Sequence, residues 1–136
     1  MYLLSGKNLT CGYNKIDILT NCNIGVNKGE IASIVGPNGA GKSTAMKAIF
    51  GLLPLRSGQI ILDGEDITHL KPQERVLKGM GFVPQNNNIF PSLTVQENLE
   101  MGAFISDDNF NDILDYIYNL FPILKEKQFQ QAGELS

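Results

Sequence analysis

The sequence predicts an α/β fold that begins as an antiparallel sheet and ends in helices. Three observations carry that prediction. Apolar residues alternate in part over residues 2–11 and 16–26, the period of half-buried strands. A glycine-rich loop, Gly36-Pro37-Asn38-Gly39-Ala40-Gly41-Lys42-Ser43-Thr44, follows one apolar run and opens a helical one. From Phe110 to Phe121 the apolar residues recur three and four apart, which is the helical period.

The first two strands rest on Leu3, Leu4 and Leu9, then on Ile16, Ile18, Leu19, Ile24 and Val26. Turn formers fill Thr10–Lys15, and a short turn between two strands makes them antiparallel. Asn27-Lys28-Gly29 turns the chain again. Glu30-Ile31-Ala32-Ser33-Ile34-Val35 reads as a buried strand feeding the glycine loop. A helix is predicted over Thr44–Leu53, ending near Pro54 because proline cannot continue it. Gln59-Ile60-Ile61-Leu62 is a short strand, and Asp63-Gly64 is a hairpin signal that returns Glu65-Asp66-Ile67 alongside it. Pro72 suits the first turn of a helix running to about Lys78. Met80-Gly81-Phe82-Val83 reads as a second core strand, closed by Pro84 and the polar run Gln85–Asn88. Thr94-Val95-Gln96-Glu97 is a capping box, so a helix runs from there to about Phe104. Ser106, Asp107 and Asp108 offer the next helix its N-cap. Phe110, Ile113, Leu114, Ile117 and Phe121 form its apolar stripe, read as core, and Pro122 ends or kinks it.

The loop fits G-x-x-x-x-G-K-[ST], the phosphate-binding P-loop, and the predicted strand–loop–helix context is what makes the pattern a site. Small residues let consecutive backbone N–H groups close around phosphate oxygens. The helix that follows adds unpaired N–H groups and its positive dipole end. Lys42 supplies a mobile point charge for β- and γ-phosphates, and the Ser43 hydroxyl suits a hard Mg²⁺ ion. With Gly near 7% of average usage, chance gives this pattern in well under ~1% of chains this long. Nucleoside triphosphate binding is the function these residues point to.

Bulk properties narrow the class. The 136 residues suffice for one small domain. A net charge of −3 with no basic stripe argues against nucleic-acid binding. Lys71, Arg75 and Lys78 lie at helical spacing around Glu74 and read as a solvated helix face. Cys11 and Cys22 have neither metal-like spacing nor partners for a disulfide framework, and read as free thiols in a reducing cytosol. His69 stands alone in a loop and receives no role. No secretory signal and no run of membrane-spanning length is apparent, so the expectation is a soluble chain that a partner holds at a membrane.

Four further stretches carry a resemblance. GPNGAGKST is the P-loop form typical of ATP-binding-cassette (ABC) ATPases. Phe82-Val83-Pro84-Gln85 resembles their Q-loop, and IFPSLTVQENL at residues 89–99 resembles the segment after it. Gly133-Glu134-Leu135-Ser136 resembles the opening of their LSGGQ-type signature. Order and spacing agree along nearly the whole chain. The stretches GLLPLRSGQIILDGEDIT, GFVPQNNNIFPSLTVQENLEMGAF and YNLFPILKEKQFQQAGELS further resemble the ATPase subunits of branched-chain amino acid importers. Urea and amide importers and the lipopolysaccharide exporter have related subunits. The resemblance implies a P-loop NTPase core with an N-terminal antiparallel β subdomain and the start of a helical subdomain. The ATP-binding core would cover residues 1–93 and the partial helical subdomain residues 94–136, with the C-terminal core strands missing.

The same resemblance implies roles. Tyr13 would stack on adenine, the alternative being a turn tyrosine packed on its own sheet. Gly36, Pro37, Asn38, Gly39, Ala40, Gly41, Lys42, Ser43 and Thr44 would hold the phosphates of ATP, and Ser43 and Gln85 would reach Mg²⁺. Residues 86–99 would receive transmembrane permease subunits, although Asn86–Asn88 fit a solvated loop equally well. Ser136 would contact ATP on the opposite subunit of a homo- or heterodimer of ABC ATPases. The two signature glycines, the Mg²⁺-binding aspartate and the catalytic glutamate are expected beyond Ser136, so no catalytic residue is assigned and the chain alone is expected to hydrolyse no ATP. The place implied is peripheral, on the cytoplasmic face of the plasma (inner) membrane. An ABC ATPase working on ribosomes or DNA would carry insertions or basic arms, and a small P-loop kinase would need a lid richer in arginine than Arg56 and Arg75 provide.

Overall fold

A hairpin of two long strands begins the computed structural model, which describes residues 1–135. β1 (Leu4–Tyr13) and β2 (Ile16–Val26) pair antiparallel. Their turn is Asn14-Lys15, and Asn14 takes φ 54°, a conformation asparagine tolerates. β3 (Ser57–Leu62) pairs with the other edge of β1, and β4 (Glu65–Asp66) pairs with β3, giving the order β2-β1-β3-β4, all antiparallel. Asp63 and Gly64 join β3 to β4 with φ 48° and 80°, the positive pair a tight hairpin turn demands.

The chain forms two compact units, Met1–Phe82 and Val83 onward. In the first, α1 (Lys42–Phe50) lays Thr44, Ala45, Ala48 and Ile49 against the sheet. Leu9, Ile60 and Ile67 are fully buried with Ile49, and Cys11, Leu19, Ala45 and Ala48 make a second cluster. Each fully buried aliphatic side chain of this size contributes about 1.5–3 kcal/mol. Burial also pushes the Cys11 thiol pKa up. At the end of β4, Asp66 accepts from the Thr68 hydroxyl (2.5 Å) and amide (2.9 Å) and from Gln59 Nε2 (2.6 Å). These donors, the Thr68 hydroxyl first, hold its pKa at about 2.

Several expectations need correction here. Glu30–Val35 and Met80–Val83 are not strands. Ile31, Val35 and Val83 are 98%, 87% and 82% exposed. A strand exists by pairing, and among the described residues nothing pairs with either stretch. The helix α1 starts two residues before the predicted Thr44 and stops at Phe50, because Gly51 takes φ 86° and caps it. Tyr13 is the last residue of β1 and lies outside the turn. The helix at Pro72 is α2 (Pro72–Leu77), its end tied by Lys71 N donating to Glu74 Oε2 at 2.8 Å. Its face is not solvated throughout: Lys78 pairs with Glu65, but Arg75 is only 2% exposed.

The second unit is helical. α3 (Val95–Gly102) opens on the predicted capping box: Thr94 Oγ1 accepts from Glu97 N at 3.1 Å, and Glu97 Oε2 accepts from Thr94 N at 2.7 Å. Thr94, its amide first and then its hydroxyl, holds the Glu97 carboxyl below its ordinary pKa. Asn98 donates to the Phe90 and Thr94 carbonyls and accepts from Phe90 N, pinning the segment before the helix. α4 (Phe110–Leu120) is capped by Asn109, which accepts from Asn111 N, and not by Ser106, Asp107 or Asp108. Its buried residues are Leu114 and Tyr118, whereas Phe121 is 54% exposed because Pro122 starts a new short helix, α5 (Pro122–Glu126). A 3₁₀ turn at Ala132–Glu134 follows. No helix among the described residues is long and apolar enough to cross a membrane.

Candidate functional site

The glycine loop leads into α1 through backbone that only its residue types allow. Gly41 has φ 90°, and a Cβ there would lie 2.8 Å from Leu19 Cδ2 and 3.3 Å from Ile18 Cγ2. Glycine is therefore required twice, for its dihedral and for the close approach of the loop to β2. Gly39 has φ 85° and open space around its Cα. Ala40 N donates to the Pro37 carbonyl at 3.2 Å, closing the loop on itself.

At the start of α1 no side chain caps the helix and no acidic residue sits in the first turn. Its first N–H groups lack intrahelical acceptors, and its positive dipole end is uncompensated. Lys42 Nζ donates to the Gly36 and Pro37 carbonyls at 2.7 Å each, so the ammonium lies over the mouth of the loop. Residues 36–40 and Ser43 are exposed, while Thr44 is 6% exposed and turned to the sheet. The loop thus presents amide donors, one ammonium and one free hydroxyl around open space. That donor set fits a polyphosphate with a hard cation, and Thr44 can offer it only its backbone.

Tyr13 belongs to the same unit. The residue is 45% exposed, and Lys47 Nζ of α1 lies 5.9 Å from its ring centroid, within cation–π range. The sequence reading missed Lys47, since only the packing of α1 beside β1 brings the two together. Gln85 and the residues 86–92 are exposed in the second unit. Ser136 lies outside the described residues.

Arg75 is the other residue the sequence misrepresented. Nε donates to the Leu70 carbonyl (2.9 Å), one Nη to Thr68 (2.9 Å), and the other to Ile49 and Ala48 at the end of α1. Burial lowers its pKa. Gly51 makes the room: a Cβ there would stand 2.8 Å from Arg75 Nε.

A glycine loop bent by positive φ leads into a helix that opens on a lysine, an arrangement that suits an anion, although the strand expected before the loop is absent. The ABC transporter family model matches residues 19–136, and the chain belongs to that family. It is 40% identical to a probable branched-chain amino acid transport ATP-binding protein of Archaeoglobus fulgidus over 98% of this chain and 57% of that protein. It is 38% identical to a high-affinity branched-chain amino acid transport ATP-binding protein of Pseudomonas aeruginosa, over 98% of this chain and 58% of that one. A lipopolysaccharide export system ATP-binding protein of Haemophilus influenzae matches at 40% identity over 73% of this chain and 41% of its own. Among solved structures, a nucleotide-free ATP-binding cassette from an ABC transporter superposes with a TM-score of 0.80 at 30% identity, over all of this chain and 60% of that one. The chain thus spans under two thirds of the relatives it matches.

Proposed function

We propose that this chain is the nucleotide-capturing part of an ABC importer ATPase for branched-chain amino acids. The single observation that carries the reading is the open start of α1: uncapped, free of acidic residues, bent into place by Gly39 and Gly41, and overhung by Lys42. In this reading Gly36–Thr44 hold the phosphates through backbone amides, and Lys42 exchanges its two loop carbonyls for phosphate oxygens. The Ser43 hydroxyl and Gln85 serve Mg²⁺, and Tyr13 takes the adenine on the ring face away from Lys47. Bound Mg·ATP supplies the phosphoanhydride bond, and the chain's own residues bind and orient it.

In this reading residues 1–93 form the ATP-binding core with its antiparallel β subdomain, and residues 94–136 form part of a helical subdomain. Residues 86–99 receive the permease, and Ser136 meets the nucleotide of a second ABC ATPase subunit. The protein sits on the cytoplasmic face of the membrane through those permease subunits and binds no nucleic acid. The amino acid substrate is favoured by the coverage of the matches, which reach 98% of this chain for branched-chain amino acid transport proteins and 73% for the lipopolysaccharide export protein.

Phosphoryl transfer needs positioned charge and an oriented water. No carboxylate in these 136 residues matches the family's general base, so the chain alone is expected to show no ATP turnover; Lys42-dependent phosphate release would reject that expectation. Binding itself is tested by thermal unfolding with and without Mg·ATP. The wild-type chain should gain stability by mass action and Lys42→Ala should gain none. An equal gain in both would reject the phosphate site. Stimulation of the assembled transporter's ATPase by leucine, isoleucine and valine, and not by urea, tests the solute class.

A further inference from the structure

We propose that Arg75 is a positioning residue for the phosphate loop, acting through the far end of α1. The inference rests on the nucleotide-binding reading above. Arg75 is 2% exposed, and its named acceptors are four backbone carbonyls. No carboxylate pairs with it among the described residues. A buried guanidinium is costly, and an apolar side chain of similar volume often serves stability as well. What a guanidinium adds here is geometry. Its planar fork ties the Ala48 and Ile49 carbonyls of α1 to the Thr68 and Leu70 carbonyls of the segment after β4.

The helix needs such a tie. Three of the four side chains it buries are small: Thr44, Ala45 and Ala48. A face of small residues seats a helix close to a sheet but offers few knobs to resist sliding or rotation. Arg75 holds the carbonyl of the remaining buried residue, Ile49, along with that of Ala48. Gly51 is shaped to the same purpose: its positive φ ends the helix, and its missing Cβ admits the guanidinium. Over nine residues α1 spans about 13 Å, so a shift at the Arg75 end moves the amides of Lys42 and Ser43 at the other. The clamp sets where the phosphate donors stand.

The test compares the full chain as wild type, Lys42→Ala, Arg75→Met, Arg75→Lys and Gly51→Ala, each measured well below its own unfolding midpoint. The probes are Mg·ATP and inorganic triphosphate by calorimetry, with backbone amide resonances of Gly39–Ser43 read by NMR. Arg75→Met and Gly51→Ala should weaken both ligands by about 10-fold, roughly the loss of one hydrogen bond to a charged phosphate, and should move the loop resonances without ligand. Arg75→Lys should fall between them and the wild type. A folded Arg75→Met with unmoved loop resonances and wild-type affinity would overturn the proposal, leaving Arg75 a purely stabilising group. If Arg75→Met does not fold, Arg75→Lys and Gly51→Ala decide by the same two readouts. Failure of the nucleotide reading looks different: the wild type and Lys42→Ala would bind triphosphate alike.

Discussion

The two ends of α1 are built on opposite plans. Both meet a glycine of positive φ, Gly41 at the start and Gly51 at the finish. At the finish, acceptors are satisfied: Leu52 N donates to the Lys47 carbonyl, Gly51 N to Ala48, and Arg75 to Ala48 and Ile49. At the start no side chain accepts from the first-turn donors, and the loop before them is exposed. α3 shows that this openness is a choice of sequence, since its own start is closed by Thr94 and Glu97. A helix end left with unmet donors in water costs little, because water satisfies them, and it remains available to an anion. The closed end lets the open end stay in place.

The sharpest way to break the contrast is at Lys42. Hydrogen bonds to charged groups are each worth about 1.5–3 kcal/mol, and this ammonium already makes two at 2.7 Å to loop carbonyls. Lys42→Ala should weaken Mg·ATP by about 100-fold or more, read by calorimetry, and should also lower the midpoint of the unliganded chain, which loses the two loop bonds. A smaller effect should follow Tyr13→Ala. Stacking is worth about 1–3 kcal/mol per base, so ATP should weaken while inorganic triphosphate binds as before; equal loss for both would place the open end's selectivity elsewhere.

Closing bonds give smaller effects still. Thr94→Ala removes the side-chain cap of α3 and should cost about 1 kcal/mol in denaturant unfolding of the second unit. A cost near zero would mean that side-chain capping contributes nothing there. The gentlest probe is pH. Asp66 holds Thr68, whose carbonyl Arg75 uses at the closed end of α1. Its folded pKa of about 2 lies below the ordinary 3.8, so its contribution is full above that ordinary value and is lost as pH falls toward 2. Asp66→Asn should flatten the acid limb of stability in that window and leave the neutral limb unchanged in slope.

Short-range signals were legible wherever the chemistry is local. The hairpin at Asp63-Gly64, the capping box at Thr94 and Glu97, and proline at the start of α2 all stand where their residue types require. The P-loop pattern located the open helix start, because positive φ at Gly39 and Gly41 is a property of glycine itself. Residues whose meaning depends on a distant neighbour were misread. Arg75 sits among Lys71, Glu74 and Lys78 in sequence, and nothing local reveals the four carbonyls around it. Ile31, Ile34 and Val35 have strand composition, yet pairing belongs to two segments and not to one.

By itself, then, the sequence determined the elements that one stretch of backbone can specify: the turns, the caps and the phosphate loop with its lysine. Its motifs, extended by resemblance, also led to the family. Tertiary structure alone decided which apolar runs became strands, which cation was buried, and that Tyr13 would stand beside Lys47. The reason is physical. Dihedral preference and capping act over a few residues, whereas burial and sheet pairing exist only once separate segments meet.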